Sequence, residues 1–457
     1  MSKVFLLSTN YTTEPYPVYP LGMAIIAGAL EAGGHKTCQY DFLVGGKSCV
    51  GVAEAVKAFD PEVICLSLRN IDNIDSFAQE KAWYLAQARE LVGAIREVSS
   101  APIIVGGSAF TIMPDEILDY LGCTHGLVGE GEGLICELVD GLAAGKAMPR
   151  LSNGEAHPLS GIEIGSPLYV KEFVDFYMAE SGQINLQTKR GCPHRCVYCT
   201  YPSLEGNRFR PLDPGRAVDE IAAAQRDFKV DSFFFTDSIF NDEQGHYLRF
   251  AEELERRQLG ISWTGFFRPK GLGRDELRLL KSSGLSALEL GTDAASDATL
   301  TGLKKDFTMA DVLAVNAACV AEQIPAAHYI MFGGPDESEE TLLEGLHNIE
   351  QIESNVVFAF SGIRILPGTE LHSRAIADGV IPAEQKLLMP AYYFSPLIDQ
   401  ERMNALILET FNQRRQWIFP PSEGQAKLEV MRRFGYRGLL WDKLVSFEKR
   451  RRIVKKS

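Results

Sequence analysis

Arg190-Gly-Cys192-Pro-His-Arg-Cys196-Val-Tyr-Cys199-Thr-Tyr201 sets three cysteines at spacings of four and three residues, directly after the strand-like run Ile184–Lys189. With 9 cysteines in 457 residues, that spacing arises by chance roughly 0.4% of the time. Zinc asks for four ligands. His194 could supply one, but C-x3-C-x2-C is not a zinc-finger spacing and no second Cys/His pair follows. Three thiolates on one short loop suit three irons of a [4Fe–4S] cluster, the fourth iron staying open to an outside ligand.

Downstream of the loop, strand-like and helix-like segments alternate. Strands are expected at Ile184–Lys189, Ser232–Thr236, Ser262–Phe267, Ala287–Leu290, His328–Phe332 and Val356–Ile365, with helices between them such as Pro214–Phe228 and Tyr247–Gln258. Six β/α repeats with no sign of a seventh or eighth predict a partial (β/α)6 barrel over residues 183–375, since a closed barrel needs about 250 residues. Upstream, the apolar runs Val4–Leu7, Val63–Leu68, Ile103–Val105 and Gly126–Val128 alternate with helical patterns at Leu21–Ala32, Val52–Ala58, Ser76–Val98 and Asp115–Leu121. Short, partly β-branched runs of this kind belong to parallel sheets buried on both faces. Residues 1–145 therefore predict an α/β, doubly wound Rossmann-like domain, whose ligands sit beyond the carboxyl ends of its strands. Periodicity weakens over residues 146–182, where Pro149, Pro158 and Pro167 punctuate an expected linker. Residues 376–457 read as a mostly helical C-terminal domain, with helices near Glu401–Trp417 and Ala426–Phe434.

Composition agrees with a globular chain: 46% hydrophobic and 23% charged, which excludes disorder or a collagen-like repeat as its main character. No apolar run approaches the roughly 18 residues of a membrane span. The apolar stretch near Met1 is too short for a signal peptide and suits a buried first strand. A cytoplasmic location with no transmembrane segment is expected. The net charge of −14 argues against a nucleic-acid surface, which normally shows a basic patch. The exception is Lys449–Lys456, with six positive charges in eight residues: a solvated end, or a contact for an anionic partner. An odd cysteine count in a reducing compartment is no disulfide framework, and Cys65 and Cys136 sit in apolar runs as small core residues.

The cysteine loop at the head of such a barrel resembles the radical S-adenosylmethionine (SAM) superfamily, and the likeness extends through the six repeats. In that superfamily the open iron chelates the amino and carboxylate groups of SAM, and one electron from the cluster splits the sulfonium to release a 5′-deoxyadenosyl radical. A closed barrel keeps water and stray hydrogen donors away. The resemblance implies metal ligation by Cys192, Cys196 and Cys199, with Tyr198 along the adenine. It places Thr236, Asp237 and Ser238 around the SAM amino group, and Glu289, Gly291 and Asp293 at its ribose and methionyl parts. Polar residues ending barrel strands are functional by location or serve as loop caps. Gly333-Gly-Pro-Asp-Glu337 resembles the family's turn after the fifth strand, and Arg364 is placed to pair with a carboxylate, of a ligand or of the fold itself.

A doubly wound sheet ahead of that barrel resembles the cobalamin (B12)-binding subfamily, on Tyr19-Pro-Leu-Gly22, Ser67-Leu-Arg-Asn70, Val105-Gly-Gly107 and Gly129-Glu-Gly-Glu132. It implies cobalamin contacts from Asp41, Ser67, Arg69, Gly106, Gly107 and Glu130. One departure stands out. The DxHxxG signature, whose histidine binds cobalt in many cobalamin proteins, reads Asp41-Phe-Leu43-Val-Gly-Gly46 here. Cobalt would then lack a protein histidine beneath it, with Arg69 or a neighbour in that place. The resemblance implies a methyltransferase acting on an unactivated carbon or phosphorus of a small-molecule, lipid or peptide substrate, with electrons from a flavodoxin or ferredoxin. Cyclisation, rearrangement, or transfer of the 3-amino-3-carboxypropyl arm of SAM are the alternatives on the same scaffold. An RNA methylthiotransferase would carry a second cysteine triad in the front domain, and a cofactor sensor an output module; neither is visible. No residue stands out as a catalytic acid or base.

Overall fold

Two wholly parallel sheets organise the chain in the computed structural model, which describes residues 1–77, 83–155, 158–445 and 447. The strands are β1 (Lys3–Ser8), β2 (Lys36–Asp41), β3 (Val63–Ser67), β4 (Ile103–Gly106), β5 (His125–Val128), β6 (Leu151–Asn153), β7 (Ile184–Leu186), β8 (Lys189–Arg190), β9 (Arg210–Pro211), β10 (Ser232–Phe235), β11 (Ser262–Phe267), β12 (Leu285–Asp293), β13 (Ala326–Phe332), β14 (Val356–Ser361), β15 (Ile363–Arg364), β16 (Tyr392–Tyr393) and β17 (Trp417–Ile418).

The first sheet runs β2-β1-β3-β4-β5-β6. Its central strands are buried on both faces, as their unbroken apolar runs require. The chain leaves β1 for β2 on one side and leaves β3 for β4 on the other, so the loops at the carboxyl ends of β1 and β3 diverge and open a crevice there. The expected linker does not stand apart. Its β6 pairs with β5, and its helix Lys171–Glu180 buries Phe173, Val174 and Tyr177. A three-residue strand carries too few positions to show a period, which hid it from pattern reading. The helix expected over Ser76–Val98 is observed only as Tyr84–Arg96; part of that expectation, residues 78–82, lies outside the described residues.

The second sheet runs β7-β10-β11-β12-β13-β14-β17 and forms an open barrel of seven strands, one more than the six repeats predicted. The seventh comes from the C-terminal region: Trp417 and Ile418 pair in parallel with Val357 and Phe358. That region is otherwise mostly helical, with Gln400–Phe411 and Pro421–Arg433. The expected first and last strands are each interrupted. Lys189–Arg190 leaves the barrel to pair with β9, and Gly362, in the left-handed region at φ 74°, breaks Val356–Ile365 into β14 and β15. Barrel helices start at Ser296, Thr308 and Ser338, each closing a capping box with the residue three positions on. The two largest apolar cores each run through both sheets, so front domain and barrel fold against one another. Among the described residues no helix is long and apolar enough to cross a membrane. The basic run Lys449–Lys456 lies outside the described residues.

Candidate active site

The cysteine loop is stapled at its base by the β8–β9 pair. Gly191 has φ 86°, and a Cβ there would stand 2.0 Å from the Arg208 carbonyl oxygen, so only glycine lets the two arms approach. Backbone bonds fix the rest: Cys192 N–H to Gly206 O (3.0 Å), Cys199 N–H to Cys196 O (3.1 Å) and Val197 N–H to Leu303 O (3.3 Å). Burial, then the neighbouring Cys196, raises the Cys192 thiol. Burial pushes Cys199 up to about 12, with Cys196 and Cys192 adding to it. The three thiols form a mutually repelling set that suits a cationic iron cluster, whose ligands are deprotonated on binding. Among the described residues no three His, Cys, Asp or Glu side chains gather as a single metal ion requires.

Beside the loop, the Tyr198 hydroxyl donates to Asp293 Oδ2 (2.9 Å), and Lys305 joins both, 3.1 Å from the Tyr198 oxygen and 3.3 Å from Cys196 Sγ. Ser238 donates to Gly191 O (2.8 Å) and so lies against the loop, whereas Thr236 donates to Leu186 O (3.3 Å) on the neighbouring strand β7. Asp237 does not face it. Fully buried, its carboxylate accepts from Thr188 N (2.7 Å), Thr188 Oγ1 (2.5 Å) and Lys189 N (3.2 Å). It anchors the entry to the loop, with its carboxylate oxygens engaged by Thr188 and Lys189.

A cavity of about 360 Å³ opens at the carboxyl ends of β1, β3, β4 and β5 and extends to Tyr201, just past Cys199, and to Thr236. Ser67, Arg69, Gly106, Gly107 and Glu130 line it. Gly107, at φ 102°, would drive a Cβ to 2.4 Å from Leu68 O, so the backbone wall there admits no side chain. Arg69 opens into the cavity, yet surrounding protein lowers its pKa; the hydroxyls of Tyr16, Tyr177, Tyr201 and Tyr84 are its polar neighbours. Burial alone would raise Glu130, but Arg210 and Arg190 hold it below the usual carboxylate range. Arg190 also bonds Glu132 Oε1 (2.6 Å). Since Arg190 precedes Gly191-Cys192, this buried ion cluster locks the cavity's wall to the cysteine loop.

Residues 186–348 match the model of the Radical SAM superfamily, and residues 9–139 that of the B12 binding domain. The chain is a B12-binding radical SAM enzyme. It is similar to an uncharacterised methyltransferase of Pyrococcus horikoshii, 24% identical over 81% of this chain and 80% of that one. It is also similar to tryptophan 2-C-methyltransferase of Streptomyces laurentii, 21% identical over 77% and 71%. Its fold matches that of the radical SAM methyltransferase TsrM of Kitasatospora setae, solved with cobalamin and a [4Fe–4S] cluster bound: 20% identity, 97% of each chain, TM-score 0.83.

The residues of this radical SAM enzyme fit its cofactors, a [4Fe–4S] cluster, SAM and cobalamin. A thiol triad with an adjacent polar shelf suits the first two. A glycine-walled apolar slot at a topological switch point suits the third. The cavity lining contains no histidine, and Leu43 is buried in the core, away from it. Asp41 departs from expectation too. Its carboxylate accepts from Val44 N (3.0 Å) and the Tyr177 hydroxyl (3.1 Å), and burial pushes it up to about 6; it does not line the cavity. Arg364 serves the fold: it bonds Asp72 Oδ2 (2.9 Å) and the carbonyls of Ile365 and Leu387 (2.6 and 2.8 Å).

Glu289 is buried inside the barrel. Strand alternation points it into the barrel lumen with Phe234, Phe266, Tyr329 and Phe358. Phe234 meets Phe266 edge-on at 5.0 Å, and Tyr329 stacks on Phe358 at 5.1 Å. The Trp441 indole N–H donates to Glu289 Oε1 (3.3 Å) from below. Phe266 is 38% exposed although it faces inward, so the lumen is open above the carboxyl. Burial pushes Glu289 up to about 7. A carboxyl raised on folding favours the native state below its unfolded pKa, and that contribution is lost as pH rises through 7. Against Glu289→Gln, the wild type is expected to lose roughly 2–3 kcal/mol between pH 5 and 8, read from urea unfolding at each pH; parallel pH profiles would refute the buried, protonated carboxyl. Lys305, Trp441 and Tyr329 are contributions that sequence reading missed, and none sits in a spaced motif.

Proposed function

We propose that this chain is a cobalamin-dependent methyltransferase acting on a carbon or phosphorus of a small, largely apolar ring-bearing molecule, in the cytoplasm, with a flavodoxin or ferredoxin as electron donor. One observation carries the reading: the cavity at the carboxyl ends of the front sheet reaches Arg190 and Tyr201, which bracket the cysteine loop, and so puts the two cofactor regions side by side. When bound, the cluster supplies an electron to SAM and cobalamin carries the methyl group to substrate.

The chain's own part is positioning. Cys192, Cys196 and Cys199 would hold the cluster, while Tyr198, Thr236, Ser238, Gly291 and Asp293 would flank SAM. Gly106 and Gly107 would permit close backbone approach of cobalamin, and Arg69 would help hold it in a lining that offers no histidine. A ring-bearing substrate seated on the aromatic lumen would displace water from it, and Glu289 would offer one acceptor, or one proton, to a polar edge of that substrate.

The test is anaerobic reconstitution with hydroxocobalamin, followed by incubation with methyl-deuterated SAM and mass analysis of its fragments. S-adenosylhomocysteine with retained corrinoid is the expected product. Methylthioadenosine would mean arm transfer instead, and 5′-deoxyadenosine without corrinoid would mean cyclisation or rearrangement.

A further inference from the structure

We propose that Lys305 is a redox-setting positioning residue: its ammonium, steadied by Asp293, hydrogen-bonds the Cys196 sulfur and makes a cluster on the three thiolates easier to reduce. The inference rests on the cysteine triad as the cluster site and is independent of methyl transfer.

An ammonium has three N–H donors, and Lys305 finds three acceptors: Cys196 Sγ at 3.3 Å, the Tyr198 oxygen at 3.1 Å and the Asp293 carboxylate. It also lies 5.2 Å over the Tyr198 ring. Both ends of this arrangement are fixed by backbone. Lys305 N–H bonds Leu300 O (2.9 Å), and Lys304 before it takes φ 56°, turning the chain back toward the loop. Asp293 takes φ 63°, where a non-glycine residue is strained, at a register irregularity between β12 and β13. That strain aims its carboxylate at Lys305 instead of continuing the strand.

The Lys305 and Asp293 side chains are only 9% and 14% exposed, so water screens their charges weakly. One electron entering from an external one-electron reductant adds negative charge beside three thiolates. A cation in contact with one of those sulfurs offsets it, and hydrogen bonds to cluster sulfurs act in the same direction. Asp293 opposes it. The two residues therefore act with opposite sign, which mere packing would not produce.

The readout is the midpoint potential of the cluster-loaded, SAM-free protein, titrated with dithionite and mediators and followed by electron paramagnetic resonance. Iron content verifies loading. Lys305→Met is expected to lower the ratio of reduced to oxidised cluster about tenfold at the wild-type midpoint, equivalent to about 59 mV for one electron. Lys305→Arg stays near wild type, and Asp293→Asn shifts the other way. Should Lys305→Met not load, Lys305→Gln is read in its place and must shift in the same direction. Potentials unchanged in both the uncharged Lys305 variant and Asp293→Asn, or shifted in the same direction, overturn the proposal. Loss of the cluster from every uncharged variant while Lys305→Arg loads also overturns it, because Lys305 would then secure the cluster without setting its potential.

Discussion

Cys199→Ala is expected to fold normally, to hold no intact four-iron cluster, and to cleave no SAM above background. Cys199 is half-buried, and its backbone N–H, not its side chain, closes the turn onto Cys196 O at 3.1 Å. Truncating the thiol therefore leaves the loop's geometry in place and changes stability by no more than about 1 kcal/mol. Chemistry is another matter. Three irons need three thiolates, and Cys319, the other cysteine of the barrel, is buried in the apolar core and offers no replacement. Iron and acid-labile sulfide analysis after anaerobic reconstitution checks the first part, and thermal unfolding of the unloaded protein checks the second. A variant that still holds four irons would put the ligand elsewhere.

The second large effect concerns stability. Arg364→Met is expected to cost about 3–5 kcal/mol, because it strands a buried carboxylate. Arg364 and Asp72 are 4% and 1% exposed at their side chains and meet at 2.9 Å. They tie the loop after β3 to the β15–β16 hairpin beyond the barrel. The double variant Arg364→Met/Asp72→Leu should recover much of the loss, since no unpaired charge remains. Urea unfolding of the four proteins in the cycle measures both. An Arg364→Met variant within 1 kcal/mol of wild type would show that the pair is solvated.

The parts legible in the sequence are those whose chemistry is local. Three ligands on one eight-residue span announce themselves by spacing, and fully buried parallel strands announce themselves as apolar runs between helical patterns. Gly107 stands out through its Val105-Gly-Gly motif, whereas the need for glycine at Gly191 shows only in its approach to Arg208. What escaped notice depends on distant chain segments. Lys305 stands 109 residues from Cys196, and nothing around it signals a partner. Asp41 occupies a signature position, yet Tyr177, 136 residues away, claims its carboxylate. Asp237 ends a barrel strand as a ligand residue would, but the backbone of Thr188 and Lys189 uses it up. The seventh strand is two residues long, too short for any period. Strand-end polarity marks a position; which way the side chain turns is settled by packing.

The central claim is that the thiols at 192, 196 and 199 grip a cube of iron and sulfide with one corner free. Mössbauer spectroscopy of protein reconstituted with iron-57 tests it most directly, with SAM added in a second sample. The account predicts about four irons per chain in one cluster, with the signal of a single iron site altered when SAM is added. A mononuclear iron site, or a spectrum in which all iron sites remain alike after SAM addition, would contradict it.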